Sequence, residues 1–402
     1  MSATTPRLSP PFRADHIGSL KRPAVLLKRR DEFDEGRCTR EELASVEDEA
    51  IRAIVDMQRS AGIKAITDGE FRRHMFYEGV FDNLDGMKYI PVVPLDWFMD
   101  YVPDVDAFKK QNFKGAPSYV CEGKLKRTKP FYVGQYEALK RLTAPEEHKH
   151  LKITMCAPEW FHLRHGPYAY NKSVYASDEE YFADVVQAYR EELLALYAAG
   201  CRNIQFDDPL LAYFCDTKML SGMAAVGVDS DALLNLYCQV YIDILQGREQ
   251  DMPEMVVGVH LCRGNFRGGR HFSEGGYDRI AIKLFQEIPA DTYYLEYETE
   301  RAGTFEPLRW LPRNKSVVLG LVSSKFPKIE DKAELIKRVH EAAAIIADGE
   351  EKRSKEEALN QICISPQCGF ASHSDGNPVT EEDVVRKLAL VSETARTIWS
   401  DA

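Results

Sequence analysis

The sequence predicts an α/β protein: a (β/α)8 barrel with an antiparallel excursion inserted after its second unit. Three observations lead there. Short β-rich apolar runs alternate with longer amphipathic stretches about eight times along the 402 residues. No glycine fingerprint for a dinucleotide follows the first run, which argues against an open nucleotide-binding sheet. Side chains able to do chemistry stand at the C-terminal ends of the runs, where barrels of this class assemble their sites.

The first strand is expected near Phe12–Ile17. It is followed by the runs Ile63–Thr67, Leu151–Met155, Asn203–Phe206, Met255–His260, Thr292–Glu296, Ser316–Leu321 and Gln361–Ser365, all short enough to be buried strands. Between them, Arg40–Ala61, Asp178–Ala199, Asp229–Leu245, Lys332–Ala347 and Glu381–Ile398 carry apolar residues at three- and four-residue spacing, the mark of helices with one buried face. Thr39 with Glu42, and Thr380 with Asp383, read as helix starts. Residues 86–132 break this rhythm with turns and short alternating segments, the pattern of an inserted hairpin. The basic run Lys124–Lys129 on it reads as a solvated hairpin surface, with a seat for an anionic substrate tail as the alternative. No repeat or long linker divides residues 1–402, which therefore read as a single barrel domain.

Composition narrows the function. Hydrophobic residues at 44% and charged residues at 29% exclude wholesale disorder. A net charge of −11 argues against a nucleic-acid partner or an anionic membrane surface. No apolar run approaches the roughly 18 residues of a membrane span, and the N-terminus, MSATTPRLSPPFRADHIGSL, has no apolar signal core. Nine cysteines lie far apart, so reduced thiols in the cytoplasm are expected, and any cysteines that cluster would bind metal or do catalysis.

The polar residues at the strand ends carry the chemistry. Ser19 follows strand one in HIGS; Asp68 and Glu70 follow strand two in TDGEFRR; Asp207 and Asp208 follow strand four in IQFDDP. His260 and Cys262 end strand five, Glu296 and Glu298 end strand six, and Cys368 follows strand eight. Residues i and i+2 of a strand point to the same face, so the His260 imidazole and the Cys262 thiolate project together. Cys368 and Glu296, ending neighbouring strands, complete a tetrahedron of N, S and O donors suited to Zn2+. Cys363 reads as core, and Cys38, Cys121, Cys156, Cys201, Cys215 and Cys238 as structural. A thiol entering such a site would lose its proton near neutral pH and become a nucleophile for alkyl transfer.

Taken together, HIGS, TDGEFRR, TMCAP, IQFDDP, HLCRGN, YYLEYETER and SPQCGF resemble, in order and over nearly the whole chain, the C-terminal catalytic barrel of cobalamin-independent methionine synthase, within the wider zinc thiol-alkyltransferase group. The resemblance implies a zinc site of His260, Cys262, Glu296 and Cys368, with Glu298 as the substitute for Glu296. It implies an amino-acid pocket made by Ile17, Gly18 and Ser19, with Glu70 and Asp207 holding an α-ammonium group, and it places Trp160 near the family's tryptophan position. The family's histidine after strand seven, which protonates the folate leaving group, corresponds to Lys325, here the general-acid candidate. The implied partners are a homocysteine-like thiol and a methyl or alkyl donor, with a homo-oligomer left open. Three readings follow: methyl transfer from a methyl-folate or another donor to homocysteine; a different zinc–thiolate reaction, such as epoxide opening; or a non-catalytic metal-binding barrel. Glu70 and Asp207 favour an amino-acid thiol, while Lys325 favours a changed electrophile.

Overall fold

In a computed structural model, residues 12–110 and 115–402 are described; the N-terminal stretch read for a signal core falls, through Pro11, outside them. The hairpin comes first among the extended strands. β1 (Leu84–Pro94) pairs antiparallel with β2 (Gly115–Arg127), with bulges between Asp85 and Met87 and between Ile90 and Val93. Six parallel strands follow in spatial order: β3 (Lys152–Cys156), β4 (Asn203–Asp207), β5 (Val256–Leu261), β6 (Thr292–Glu296), β7 (Ser316–Val322) and β8 (Ile362–Pro366). Every residue of β3, β4, β6, β7 and β8 is buried, as strands covered on both faces must be.

Helices form where the apolar spacing places them, at Arg40–Ser60, Asp178–Ala199, Ser230–Leu245, Lys332–Ala347 and Glu381–Ile398. Thr39 and Glu42 make a reciprocal capping box, as do Thr380 and Asp383.

The two expected strands that close the barrel are much shorter than their apolar patterns suggest. Each is reduced to a single parallel bridge, Ala14 to Ile364 of β8 and Ile66 to Leu151 before β3. The backbone groups that would have extended these ladders are taken by side chains. Gln58 donates to the Thr67 carbonyl at 2.9 Å and accepts from the Thr67 N–H at 3.0 Å, acting as a strand one residue long. Asp15 accepts from the His16 N–H at 2.7 Å.

What joins these segments to the sheet is a polar network inside the barrel. The buried Lys152 ammonium donates to Asp15 Oδ1 at 2.8 Å, to Gln205 Oε1 at 3.0 Å and to the His16 carbonyl, and Tyr294 donates its hydroxyl to Asp15 Oδ2 at 2.7 Å. Both charges of the pair are almost wholly removed from water, at 2% and 1% exposure.

The excursion holds one element that alternation alone does not reveal, a helix at Pro103–Lys110 between the two strands. Asp104 and Asp106 in its first turn and Lys109 and Lys110 in its last suit its dipole. Asp104 forms a buried ion pair with Arg164, tying the excursion to the barrel. The Lys124–Lys129 run is surface, as read: Lys124, Lys126 and Lys129 are exposed, and Arg127 pairs with Glu192 at 2.7 Å. No helix among the described residues is long and apolar enough to cross a membrane.

Removing one member of a buried ion pair strands the other. Lys152→Met should therefore lower stability by about 3–5 kcal/mol, read as a fall in the urea midpoint. A shift equivalent to less than about 1 kcal/mol would show that the barrel closes without this network.

Candidate metal centre and adjoining cavity

β5 delivers His260 at its penultimate residue and Cys262 just past its end; β6 ends on Glu296, and Cys368 lies two residues beyond β8. One potential ligand atom from each lies within 4.8 Å of all the others, and all four residues are buried. The two sulfurs approach to 3.3 Å. Neither ring nitrogen of His260 has a hydrogen-bond partner, although both are buried. Left unsatisfied, such groups cost about 1–3 kcal/mol each, and a metal ion would relieve that cost. An N, S, S, O set this close fits Zn2+.

The surrounding groups fix the carboxylate. Glu296 Oε1 accepts from the Arg263 N–H at 3.0 Å; Oε2 accepts from Arg301 at 2.8 Å and from Gln367 Nε2 at 3.4 Å. Burial works against its ionisation, but the charges of Lys325 and Arg301 outweigh it and hold its pKa at about 2. Glu298 stands outside the cluster, paired with Arg301 and accepting from Gln367 Nε2 at 2.7 Å. Burial and the neighbouring Glu296 charge push it up to about 7. Of the two glutamates the sequence offered, Glu296 is thus the one brought to the cluster, and it arrives ionised.

A cavity of about 330 Å3 opens onto His260, Cys262 and Cys368, and Ile17, Ser19, Glu70 and Asp207 share its wall. Glu70 has a φ of +61°, the one non-glycine residue in the left-handed region among the described residues. Such backbone strain is often held at functional positions. Here Asp68 holds the turn by accepting from the Glu70 N–H at 2.9 Å. Glu70 Oε1 accepts from Thr154 at 2.7 Å, while Oε2 is buried without a partner. Burial raises the Glu70 pKa to about 7 against the pull of Arg73, and the Asp207 charge adds to the rise. Burial raises Asp207 too, although Gln205 donates to its Oδ1 at 2.7 Å. Two buried carboxyls thus face one cavity, both raised chiefly by burial, with Arg73 3.9 Å from Glu70 Oε1.

Gly18 is behind the wall rather than on it. Its φ of +130° and a Cβ position 2.4 Å from Thr154 Cγ2 leave room only for glycine. Asp208 plays no part in the cavity: it caps the short helix Pro209–Tyr213, accepting at 2.8 and 2.9 Å, and takes the Tyr241 hydroxyl. Lys325 is buried but off the cavity wall, its Nζ donating to the Gly264 carbonyl at 2.5 Å. The structure thus does not bring the expected general acid onto the cavity wall itself, although Gly264, which it contacts, lines the cavity. Because the Lys325 loop folds beneath the strand-five loop, its ammonium serves Gly264 and the Glu296 charge.

Several wall residues were not singled out from the sequence. Phe76 and Tyr77 pack on Trp160 with centroids 5.0 and 5.4 Å apart, and Phe108 of the excursion packs on Phe266 at 5.2 Å. His373 also lines the cavity. Its signal, a histidine five residues beyond Cys368 on the same loop, is visible only once Cys368 is placed.

A family model described as the cobalamin-independent synthase catalytic domain matches residues 166–395, more than half of the chain. The chain belongs to this family. An uncharacterized Bacillus subtilis protein, YxjH, is 34% identical over 97% of this chain and 95% of its own length. A Saccharolobus solfataricus protein named methionine synthase is 27% identical over 92% of this chain and 95% of its own. A Listeria monocytogenes structure, provisionally described as a vitamin-B12-independent methionine synthase, superposes with a TM-score of 0.70 at 28% identity, covering 97% of this chain and 98% of that one. The (β/α)8 architecture is thus the architecture of the family.

Gly18→Ala tests how tightly the Ile17–Ser19 side of the cavity is built. The added methyl would collide with Thr154 in a backbone conformation that alanine resists, so a loss of about 1–3 kcal/mol is expected in thermal or urea unfolding. An unchanged midpoint would show that this turn relaxes freely.

Proposed function

We propose that the chain is a zinc-dependent methyltransferase that moves a methyl group onto the sulfur of homocysteine. The observation that carries this reading is one cavity with two faces: a cluster of His, two Cys and Glu on one side and the two buried carboxyls of Glu70 and Asp207 on the other. In this reading His260, Cys262, Glu296 and Cys368 hold one Zn2+. Bound there, the ion would supply Lewis acidity that lowers the pKa of an incoming thiol toward neutrality.

The chain's own groups do the remaining work. Glu70 and Asp207 hold the amino acid's ammonium, and its charge would draw both carboxyls back to their ionised forms. Ser19 and the backbone of the Ile17–Ser19 turn receive the α-carboxylate. Arg301 and Lys325 keep Glu296 ionised and therefore able to act as a ligand. The aromatic wall around Trp160 excludes water and gives a planar donor a face to stack on. The two arginines on the wall are already engaged, Arg164 with Asp104 and Arg267 with Asp375. The Arg267 pair is exposed and open to exchange with an anionic tail, so 5-methyltetrahydrofolate, with one glutamate or several, is the donor to test first. Methionine formed from it and homocysteine supports the reading; no methionine with any methyl-folate would remove folate as the donor and leave another electrophile.

Metal analysis should give one zinc per chain. Cys262→Ser and Cys368→Ser should each lose metal and turnover together, while Glu298→Gln should keep its zinc. Full occupancy in both serine variants would sink the ligand set.

Homocysteine should bind the zinc-loaded protein far more tightly than 1-propanethiol, which has no ammonium. Glu70→Gln should weaken homocysteine binding by about 2–4 kcal/mol in calorimetry. Equal affinity for the two thiols would exclude an amino-acid acceptor.

A further inference from the structure

A methyl group carried on a tertiary amine leaves only if that nitrogen gains a proton, and Lys325 stands behind Gly264 rather than on the cavity wall. His373 is held there instead. Its backbone is fixed from two sides: Met75 forms an antiparallel bridge with His373, in which the Phe76 N–H donates to the Ser372 carbonyl at 3.0 Å, and Arg22 donates to the His373 carbonyl at 3.1 Å. Asn265, on the loop after β5 that also carries Cys262, reaches across to the Gly369 carbonyl at 2.8 Å and the Ser372 hydroxyl at 2.9 Å. The loop bearing His373 is therefore locked to the loop bearing the metal-site cysteine.

The ring, by contrast, is left without polar partners. Both ring nitrogens are buried and unbonded, and the nearest ring contact is Phe266 at 5.8 Å. A fixed backbone and an unsatisfied imidazole on the wall of a substrate-sized cavity are the signs of a group whose partner arrives with the ligand. The other carboxylates and histidine on this wall have tasks: Glu70 and Asp207 toward the ammonium, Asp104 toward Arg164, and His260 in the metal cluster.

We propose, resting on the methyltransferase reading above, that His373 is a catalytic residue that hydrogen-bonds the donor's leaving nitrogen and gives it its proton. The balance closes without a further reactant. The thiol gives up its proton; its sulfur forms a bond to the methyl carbon as the carbon–nitrogen bond breaks. The leaving nitrogen keeps that electron pair and gains one proton, equal to the one the thiol lost, and His373 carries it. The free protein suits this order of events. Burial outweighs the nearby Asp375, and with Arg267, Arg22 and Lys21 also close it holds the ring's pKa at about 4, so the imidazole is neutral and able to accept.

The test compares two methyl donors on zinc-loaded protein with homocysteine: 5-methyltetrahydrofolate, whose nitrogen must be protonated, and methyl iodide, whose iodide leaves without a proton. In His373→Ala and His373→Gln the ratio of the folate rate to the iodide rate should fall by roughly 10²-fold or more, with zinc content and homocysteine affinity kept. Added imidazole should restore part of the folate rate in His373→Ala. A ratio unchanged from wild type, or equal loss of both reactions, would overturn the role of His373. A wild-type protein that uses methyl iodide but no methyl-folate would instead overturn the donor reading, and with it this assignment.

Discussion

The Lys152 ammonium, buried inside the barrel, is the contact on which the two halves of the site depend for their relative position. β3 to β8 are joined by continuous ladders, and these bring His260, Glu296 and Cys368 to one level. The segments that carry Ser19 and Glu70 have one bridge each to that sheet. Their placement comes from Lys152 with Asp15 and Gln205, and from Gln58 standing in for a neighbouring strand. Side-chain hydrogen bonds in a dry interior do what a ladder does elsewhere, and they are directional enough to set the turn at Gly18.

Charge is balanced locally around the metal cluster. Two cysteines and a glutamate converge in a buried cluster, and the chain answers with Arg301 and Lys325 beside Glu296 and a backbone N–H on each of Glu296 and Cys262. Across the cavity the balance tips the other way: burial at Glu70 and Asp207 outweighs the nearby Arg73, and both carboxyls are raised. One side gathers donors that could hold a metal ion, the other two buried carboxyls. The difference lies in which residues back each carboxyl, not in the carboxyls themselves.

Much of this was legible in the sequence, because strand ends and helix caps are local signals. HLC places two donors on one strand face, and a barrel brings Glu296 and Cys368 to the same rim. The parts that stayed hidden depend on contacts distant in sequence. The strand-like pattern Ile63–Thr67 gives no sign that Gln58 occupies its hydrogen-bonding groups. Lys325 aligns with a proton donor, yet the Gly264 carbonyl, 61 residues away, captures its ammonium. His373 became visible only when the loop after β8 folded against Phe76, Arg22 and Asn265. The helix at Pro103–Lys110 was masked by the prolines and turns around it.

The excursion has a consequence for how such proteins diversify. Asp104, Phe108, Ala116 and Pro117 give it a share of the cavity wall, yet it contributes none of the clustered ligands and neither Glu70 nor Asp207. Its hold on the barrel is broad: Asp104 pairs with Arg164, Ser118 meets His165 at 2.7 Å, Cys121 bridges Tyr170, and Arg127 pairs with Glu192 at 2.7 Å. Drift at the wall positions between these anchors can reshape the cavity while the anchors and the clustered residues beneath stay undisturbed.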